Sequence, residues 1–160
     1  MVSLSNHGRT ILGATIFVIG MLWALPNTMI GLLIGLPALP FGARLRIGDG
    51  ALVFVRYPCG PGGALTLGNV IVCTQDSLDG RCRSYAERHG LCPPTATTMR
   101  LGDHERAHVL QAMALGLFFL PTYLLCGGIS PHNRFEQAAD RYALTARGWW
   151  PWPRPGAAAR

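Results

Sequence analysis

Two long stretches without a charged residue, residues 11–39 and 109–129, most strongly constrain what this chain can fold into. About 20 consecutive apolar residues suffice to cross a bilayer as a helix, and both stretches reach that length. Charged residues make up only 14% of the chain, whereas about a quarter is usual for a soluble domain. The length of 160 residues suits one domain. We therefore expect a membrane-associated protein with a small polar part.

The first uncharged stretch predicts an N-terminal membrane anchor over residues 1–40. A proline interrupts it soon after Leu25, so it forms either one kinked span or a helical hairpin that dips in and returns. A cleaved secretory signal peptide is the competing interpretation, but no small-residue cleavage site follows its apolar part. The excess of arginine after the stretch places the following domain on the cytoplasmic side.

The net charge of +6 raises the question of an anionic partner. A basic chain can bind nucleic acid, but its arginines are scattered along the sequence and no recognition motif accompanies them. We therefore predict no nucleic-acid partner. Instead, we expect the arginines of a membrane-bound protein to face lipid phosphates.

Two β-strands are predicted in the middle of the chain, over residues 51–57 and 64–73. Both segments are rich in β-branched and aromatic residues, and a Gly- and Pro-rich segment separates them. This pattern is typical of a hairpin with a wide turn. Helix signals resume near Thr98, and we predict one helix from about residue 99 to 120 and a second from about 132 to 146.

His104 and His108 lie four residues apart at the start of the first of these helices. That spacing puts both imidazoles on one helical face, one turn apart, where they can share one metal ion. Glu105 lies beside the first histidine and could take a proton from a water acidified by the metal. Two imidazoles and a carboxylate suit an open tetrahedral site, so Zn²⁺ is the predicted cofactor. A chance match to the pattern is the competing explanation.

A third ligand is predicted from residues 133–142, which read NRFEQAADRY. Glu136 and Asp140 lie four apart and share a helical face. Glu136 can ligate zinc, while Asp140 can accept a hydrogen bond from a liganding histidine and so fix its tautomer. Considered alone, Glu136 and Asp140 would be charged side chains on the solvent-exposed face of a helix, with Arg141 as a local partner. The nearby His-Glu-x-x-His pattern favours the ligand interpretation.

The pattern His-Glu-x-x-His followed by Glu-x-x-Ala-Asp resembles the gluzincin metallopeptidases, and most closely the membrane-bound HtpX-like peptidases. The resemblance covers about residues 64–147. It implies that His104, His108 and Glu136 are zinc ligands. It also implies that Glu105 is the general base and that Asp140 is the carboxylate that supports a ligand. It also implies that residues 64–72 line the cleft and pair with an extended substrate.

The predicted zinc site constrains the second uncharged stretch, residues 109–129. A straight helix of that length advances about 30 Å, which would carry Glu136 to the opposite side of a bilayer from His108. If both residues bind one metal ion, the chain must double back between them. Pro121 and a later Gly-Gly pair offer the breaks.

The sequence therefore predicts an α+β protein in three parts. The first is the membrane segment (1–40), and the second is a minimal zincin-like domain (41–148) with a β-hairpin, a metal-binding helix and a returning ligand helix. The third is a Trp- and Pro-rich tail (149–160), which suits either a membrane–water interface or a packed aromatic lid. His132 and Tyr142 lie near the ligand helix and are candidate oxyanion donors.

The leading functional hypothesis is a membrane-anchored zinc metallopeptidase that hydrolyses peptide bonds with zinc-activated water. Its partners would be a lipid bilayer and a peptide or protein substrate, and the resemblance implies a bacterial inner membrane. An alternative is a non-enzymatic membrane protein with a structural zinc site, because a small domain benefits from such a staple. A third hypothesis is a membrane interaction protein without metal. Glu105 favours catalysis, because a structural site needs ligands but no general base.

Overall fold

The structure is a computed structural model that describes residues 6–60, 62–93 and 97–152, with side chains from residue 13 onward. Its mixture of helices and strands is the α+β class that the sequence predicts. The strands are β1 (Arg44–Gly48), β2 (Ala51–Val55), β3 (Ala64–Leu67), β4 (Val70–Cys73), β5 (Arg81–Cys82) and β6 (Met99–Arg100). The helices are α1 (Asn6–Trp23), α2 (Leu25–Gly35), α3 (Tyr85–Arg88), α4 (Leu101–Leu115), α5 (Phe119–Leu125) and α6 (Arg134–Thr145), with 3₁₀ turns at Leu36–Phe41 and Gly116–Phe118.

Four strands form one mixed sheet in the order β1-β2-β4-β3. The outer pairs β1–β2 and β3–β4 are antiparallel hairpins, while β2 and β4 run parallel in the centre. The predicted hairpin between residues 51–57 and 64–73 is therefore wrong. The first segment forms its hairpin with residues 44–48, the second segment contains two strands, and the two segments pair in parallel through β2 and β4.

A tight turn at Gly68 explains why one apolar run holds two strands. Gly68 has a φ of 64°, a left-handed conformation that glycine adopts without steric strain. Its hydrogen side faces α2 so closely that a Cβ would lie 2.5 Å from the backbone nitrogen of Thr28. The run lacks the alternation of a half-exposed strand because β4 is buried along its whole length.

The central sheet is covered on both faces, by α2 on one side and α4 on the other. Phe54, Val70 and Val72 form a buried cluster that packs against Leu32 of α2. Gly35 permits this close approach, since a Cβ there would lie 2.4 Å from the Phe54 ring. The opposite face packs against α4 through a second cluster of Ala51, Val53, Val55, Ile71, Cys73, Leu78, Leu101 and Val109. Residues 25–35, which were predicted as part of the anchor, thus form a layer of the fold.

The second uncharged stretch doubles back, as the predicted metal site requires. On a straight helix Tyr123 would lie about 22 Å along the axis from His108, yet their ring centroids are 6.1 Å apart. The chain first reverses at Gly116, which has a φ of 55°, and not at Pro121. The other predicted break, Gly127-Gly128, lies just after the end of α5, and both of its glycines have positive φ. Asn27, which is buried on α2, donates a hydrogen bond of 2.6 Å to the Gly116 carbonyl. A glycine at this point avoids the strain that a positive φ imposes on other residues.

Among the described residues, one helical segment has the length and composition of a membrane span, and a bent helix pair is a second if its two helices count as one span. The Leu101–Leu125 segment is long and apolar enough to cross a membrane, with a mean hydropathy of 1.5. The reversal at Gly116 means that it is not one straight helix. The helices Gly13–Trp23 and Leu25–Phe41 are long and apolar enough only when they are taken together, and the pair is bent by 66°. Many large apolar side chains of this pair are exposed, including Leu33 at 71% and Phe41 at 75%.

The start of the Trp-rich tail packs against the domain. Trp152 lies edge-on to the Phe135 ring of α6, with ring centroids 5.5 Å apart, and the Arg134 guanidinium lies over its face. For Trp152 the structure therefore agrees with the packed alternative. Residues 153–160 of the predicted tail lie outside the described residues.

Candidate functional site

Helices α4 and α6 bring the three predicted metal ligands together. His104 and His108 lie one turn apart on α4, and their Nε2 atoms are 3.2 Å apart. The Glu136 carboxylate reaches them from α6, with 3.1 Å from Oε2 to His104 Nε2 and 3.5 Å from Oε1 to His108 Nε2. All three side chains are buried. The returning helix is close to its predicted range, at 134–145.

The close spacing of these donor atoms suits a single metal ion. Bonds of about 2.0–2.1 Å at tetrahedral angles keep neighbouring ligand atoms about 3.3 Å apart. The two Nε2 atoms are 3.2 Å apart, and each lies 3.1 or 3.5 Å from one of the two Glu136 oxygens, which is close to that spacing. His104, His108 and Glu136 thus form a buried group that could hold a metal ion.

Asp140 orients the first histidine, as the sequence predicts. Its Oδ1 lies 3.0 Å from His104 Nδ1, so the imidazole donates from Nδ1 and directs Nε2 to the cluster. The second oxygen of Asp140 accepts a hydrogen bond of 2.6 Å from the backbone N–H of Tyr85 in α3. The carboxylate is therefore held at both oxygens, which fixes the plane of the His104 ring.

The cluster retains charge when no metal is bound. Burial disfavours protonation of His104, but the carboxylates of Asp140 and Glu136 outweigh burial and raise the pKa of His104 to about 10. Burial favours the neutral acid of Glu136, yet His108 and His104 hold the pKa of Glu136 well below its ordinary range. An imidazolium and a carboxylate thus face each other, and a metal cation binding here displaces a proton.

Glu105 is buried beside this cluster without belonging to it. Its Oε2 accepts a hydrogen bond of 2.6 Å from the Thr66 hydroxyl on β3. Thr66 was not among the predicted site residues. Its role follows only from the packing of β3 against α4, which lies outside the reach of a local sequence pattern. Glu105 therefore has a fixed orientation set by the sheet.

An open cleft gives access to the cluster and to Glu105. One wall is β3, which is the edge strand of the sheet, and another is α5. The residues that line the cleft are Gly62, Gly63, Ala64, Leu65, Thr66, Cys82, Tyr85, Arg88, Leu101, His104, Glu105, His108, Phe119, Leu120, Tyr123, Ile129 and Glu136. Glu105 and the cluster of His104, His108 and Glu136 thus face one accessible space.

Tyr123 lies in the cleft, where His132 and Tyr142 were the predicted auxiliary residues. Its hydroxyl donates a hydrogen bond of 2.5 Å to Glu136 Oε1. His132 is exposed on the connection before α6, and Tyr142 is half-buried on α6. Among the described residues, neither of these two lines the cleft. Tyr123 sits inside an uncharged stretch, and only the reversal at Gly116 brings it to the ligands.

The geometry described above is the basis for assigning a function to this chain. The ligand set, the carboxylate that faces it and the cleft come from α4, α6 and β3. No protein-family model, curated protein or solved structure matches the chain.

Proposed function

We propose that this chain is a membrane-associated, zinc-dependent metallopeptidase of the gluzincin type. The observation that carries the proposal is the juxtaposition of the buried His104, His108 and Glu136 cluster with Glu105, all facing one open cleft. Two imidazoles and one carboxylate are a donor set typical of catalytic zinc sites. Glu105 lines the same cleft as the cluster and is not one of its three members.

The residues of the cleft have separate roles in peptide hydrolysis. A zinc ion held by the cluster would supply the Lewis acid that acidifies water and polarises a peptide carbonyl. Glu105 takes the proton from the attacking water and later delivers it to the leaving amine. The Thr66 hydroxyl occupies Glu105 Oε2, which leaves Oε1 as the oxygen that handles the proton. Asp140 keeps His104 in the tautomer that ligates through Nε2.

The edge strand β3 supports binding of an extended peptide. An edge strand has unpaired backbone groups, and a peptide can add to them as a further strand. Ala64, Leu65 and Thr66 line the cleft on this strand, within reach of Glu105. We therefore propose that the substrate backbone lies along β3, with its scissile bond next to the metal ligands.

A structural zinc site is the alternative function for the same cluster. Structural sites are closed by four protein ligands. The group found among the described residues has three ligands and faces an open cleft. An accessible site with a neighbouring, fixed carboxylate favours catalysis over structural closure.

Zinc content tests the metal site directly. The purified full-length protein should bind about one zinc per chain, and His108→Ala should lose it, because two remaining ligands hold zinc weakly. The metal content is measured by inductively coupled plasma mass spectrometry after dialysis. His132→Ala is the matched control, because His132 is exposed and outside the cleft. A metal-free wild-type protein would exclude both the peptidase and the structural zinc site.

Membrane association rests on the exposed apolar residues of α1, α2 and the following 3₁₀ turn. Replacing Leu33 and Phe41 together by Asp should lower binding to vesicles of phosphatidylcholine and phosphatidylglycerol by at least about 100-fold. The reason is that burying two such side chains contributes about 3 kcal/mol or more. Flotation of the reconstituted full chain measures the effect. Leu144→Asp, an exposed position on α6, should leave flotation unchanged, and a wild-type chain that does not float contradicts the proposal.

A further inference from the structure

Gln111 connects the second histidine of the cluster to the C-terminal segment of the chain. It lies on α4, one turn after His108, and its side chain is fully buried at 0% exposure. Its Oε1 lies 2.8 Å from His108 Nδ1. Its Nε2 donates two hydrogen bonds, one of 3.2 Å to the Phe135 carbonyl and one of 2.8 Å to the Trp149 carbonyl. One amide therefore touches α4, α6 and the segment that follows α6.

The two carbonyl partners determine which way the Gln111 amide points. A backbone carbonyl can only accept a hydrogen bond, so the group that faces Phe135 and Trp149 must be the NH₂. The amide oxygen then faces His108, and an amide oxygen can only accept. His108 must therefore carry a proton on Nδ1, so Nε2 is the ring nitrogen that faces Glu136 and His104 and is the one that can bind a metal.

The C-terminal segment is itself held in place by α6. Ala146 and Gly148 adopt positive φ values of 56° and 73°, which end the helix and turn the chain. The Arg141 guanidinium donates to the carbonyls of Gly148 and Trp150, at 2.9 and 3.2 Å through its Nη2. These two residues flank Trp149 in the chain. Arg141 thus fixes the position of the carbonyl that anchors Gln111.

We propose that Gln111 is a positioning residue that presets His108 for metal binding, and that the Trp149 carbonyl completes its anchorage. This inference rests on the proposed metal site. Asp140 serves His104 in the same way, so each imidazole has its own acceptor on Nδ1. The two acceptors differ in charge, because Asp140 is a carboxylate and Gln111 a neutral amide. The C-terminal segment thereby contributes to the metal site without supplying a ligand.

Zinc affinity of full-length variants tests the role of Gln111. Gln111→Met keeps the size of the side chain but removes the acceptor, and it should weaken zinc binding by about 10–100-fold, as loss of such a partner typically does. Gln111→Glu keeps an acceptor for Nδ1–H but loses the two hydrogen bonds that the NH₂ donates to Phe135 and Trp149, so it should recover only part of the affinity that Gln111→Met loses. Competition with a chromogenic zinc chelator measures both variants. If wild type binds zinc and Gln111→Met binds it equally well, Gln111 has no positioning role although the metal site stands. If wild type binds no zinc, the proposed function itself fails.

A spectroscopic measurement on wild type keeps the inference testable even if Gln111→Met does not fold. Long-range ¹H–¹⁵N spectra of the zinc-loaded protein should show His108 protonated at Nδ1 and ligated through Nε2. Ligation through Nδ1 would overturn the proposal.

The anchorage through the C-terminal segment is tested at Arg141. Arg141→Gln should lower zinc affinity in the same direction as Gln111→Met, but by a smaller factor, because the carbonyl of Trp149 is loosened and not removed. Arg147→Gln, on the same segment, is the matched control and should match wild type. An Arg141→Gln protein with wild-type affinity would exclude the segment from the site while leaving Gln111 itself untouched.

Discussion

Replacing Glu105 by glutamine is expected to abolish peptide hydrolysis while leaving zinc bound. Glutamine has nearly the same shape and can still accept the hydrogen bond from Thr66, so the variant should fold. It cannot take up a proton at neutral pH, and loss of a general base typically costs about 10²–10⁴-fold in rate. The measurement is cleavage of a fluorogenic peptide library by the full-length protein in detergent, with zinc content determined on the same samples.

Two variants separate the chemical role of Glu105 from general damage to α4. Asp103→Asn removes a carboxylate from the same helix, where it contacts Arg100, and should retain cleavage. Thr66→Val removes the hydroxyl that orients Glu105 and should lower kcat by a smaller factor with zinc content unchanged. Cleavage at the wild-type rate by Glu105→Gln would exclude Glu105 as the base.

Zinc is expected to raise the free energy of unfolding by about 4 kcal/mol when free zinc exceeds its dissociation constant 1,000-fold. The stabilisation arises because the ligands come from α4 and α6, and the unfolded chain has no preformed site. Denaturant titrations of the full chain in detergent, with and without zinc, measure the difference. His104→Ala should abolish the zinc effect, whereas His132→Ala should retain it. Equal stability with and without zinc in wild type would contradict metal binding at the cluster.

The increase in the free energy of unfolding that zinc causes should also depend on pH. In the metal-free protein the pKa of His104 is raised to about 10, so zinc displaces a proton at neutral pH and binds more tightly as the pH rises from 6 to 9. The free energy of unfolding of the metal-free protein changes in the opposite sense and falls as the pH rises. A group with a raised folded pKa stabilises the fold fully below its unfolded pKa, and this contribution is lost as the pH rises towards 10. A zinc effect that is constant over this range would contradict the charged metal-free cluster.

The residues of the His104, His108 and Glu136 cluster were predictable because their pattern is local. His104 and His108 share a helical face through their spacing alone, and so do Glu136 and Asp140. A helical period of 3.6 residues places such pairs together whatever the rest of the chain does. The helices at 101–115 and 134–145 are those the sequence predicts, although the first ends earlier than expected.

The strand pairing was not predictable in the same way. The β1 residues are mostly exposed at the edge of the sheet, so they have no clear apolar alternation. Residues 64–73 read as one apolar run because β4 is an inner strand with both faces buried, and the second half of the edge strand β3 is buried as well. Only the turn at Gly68 divides that run, and a single glycine inside it can equally mark a bulge.

Local periodicity by itself determined the α+β class and the two helical pairs, His104–His108 and Glu136–Asp140. The hypothesis of a shared metal ion then required the chain to reverse between these pairs. The tertiary structure decided where the chain reverses, at Gly116, and therefore which residues surround the ligands. Thr66, Tyr123 and Gln111 reach the site from β3, α5 and the buried side of α4. The physical reason is that hydrogen bonds between distant segments depend on how helices and strands pack. No spacing within one segment encodes that packing.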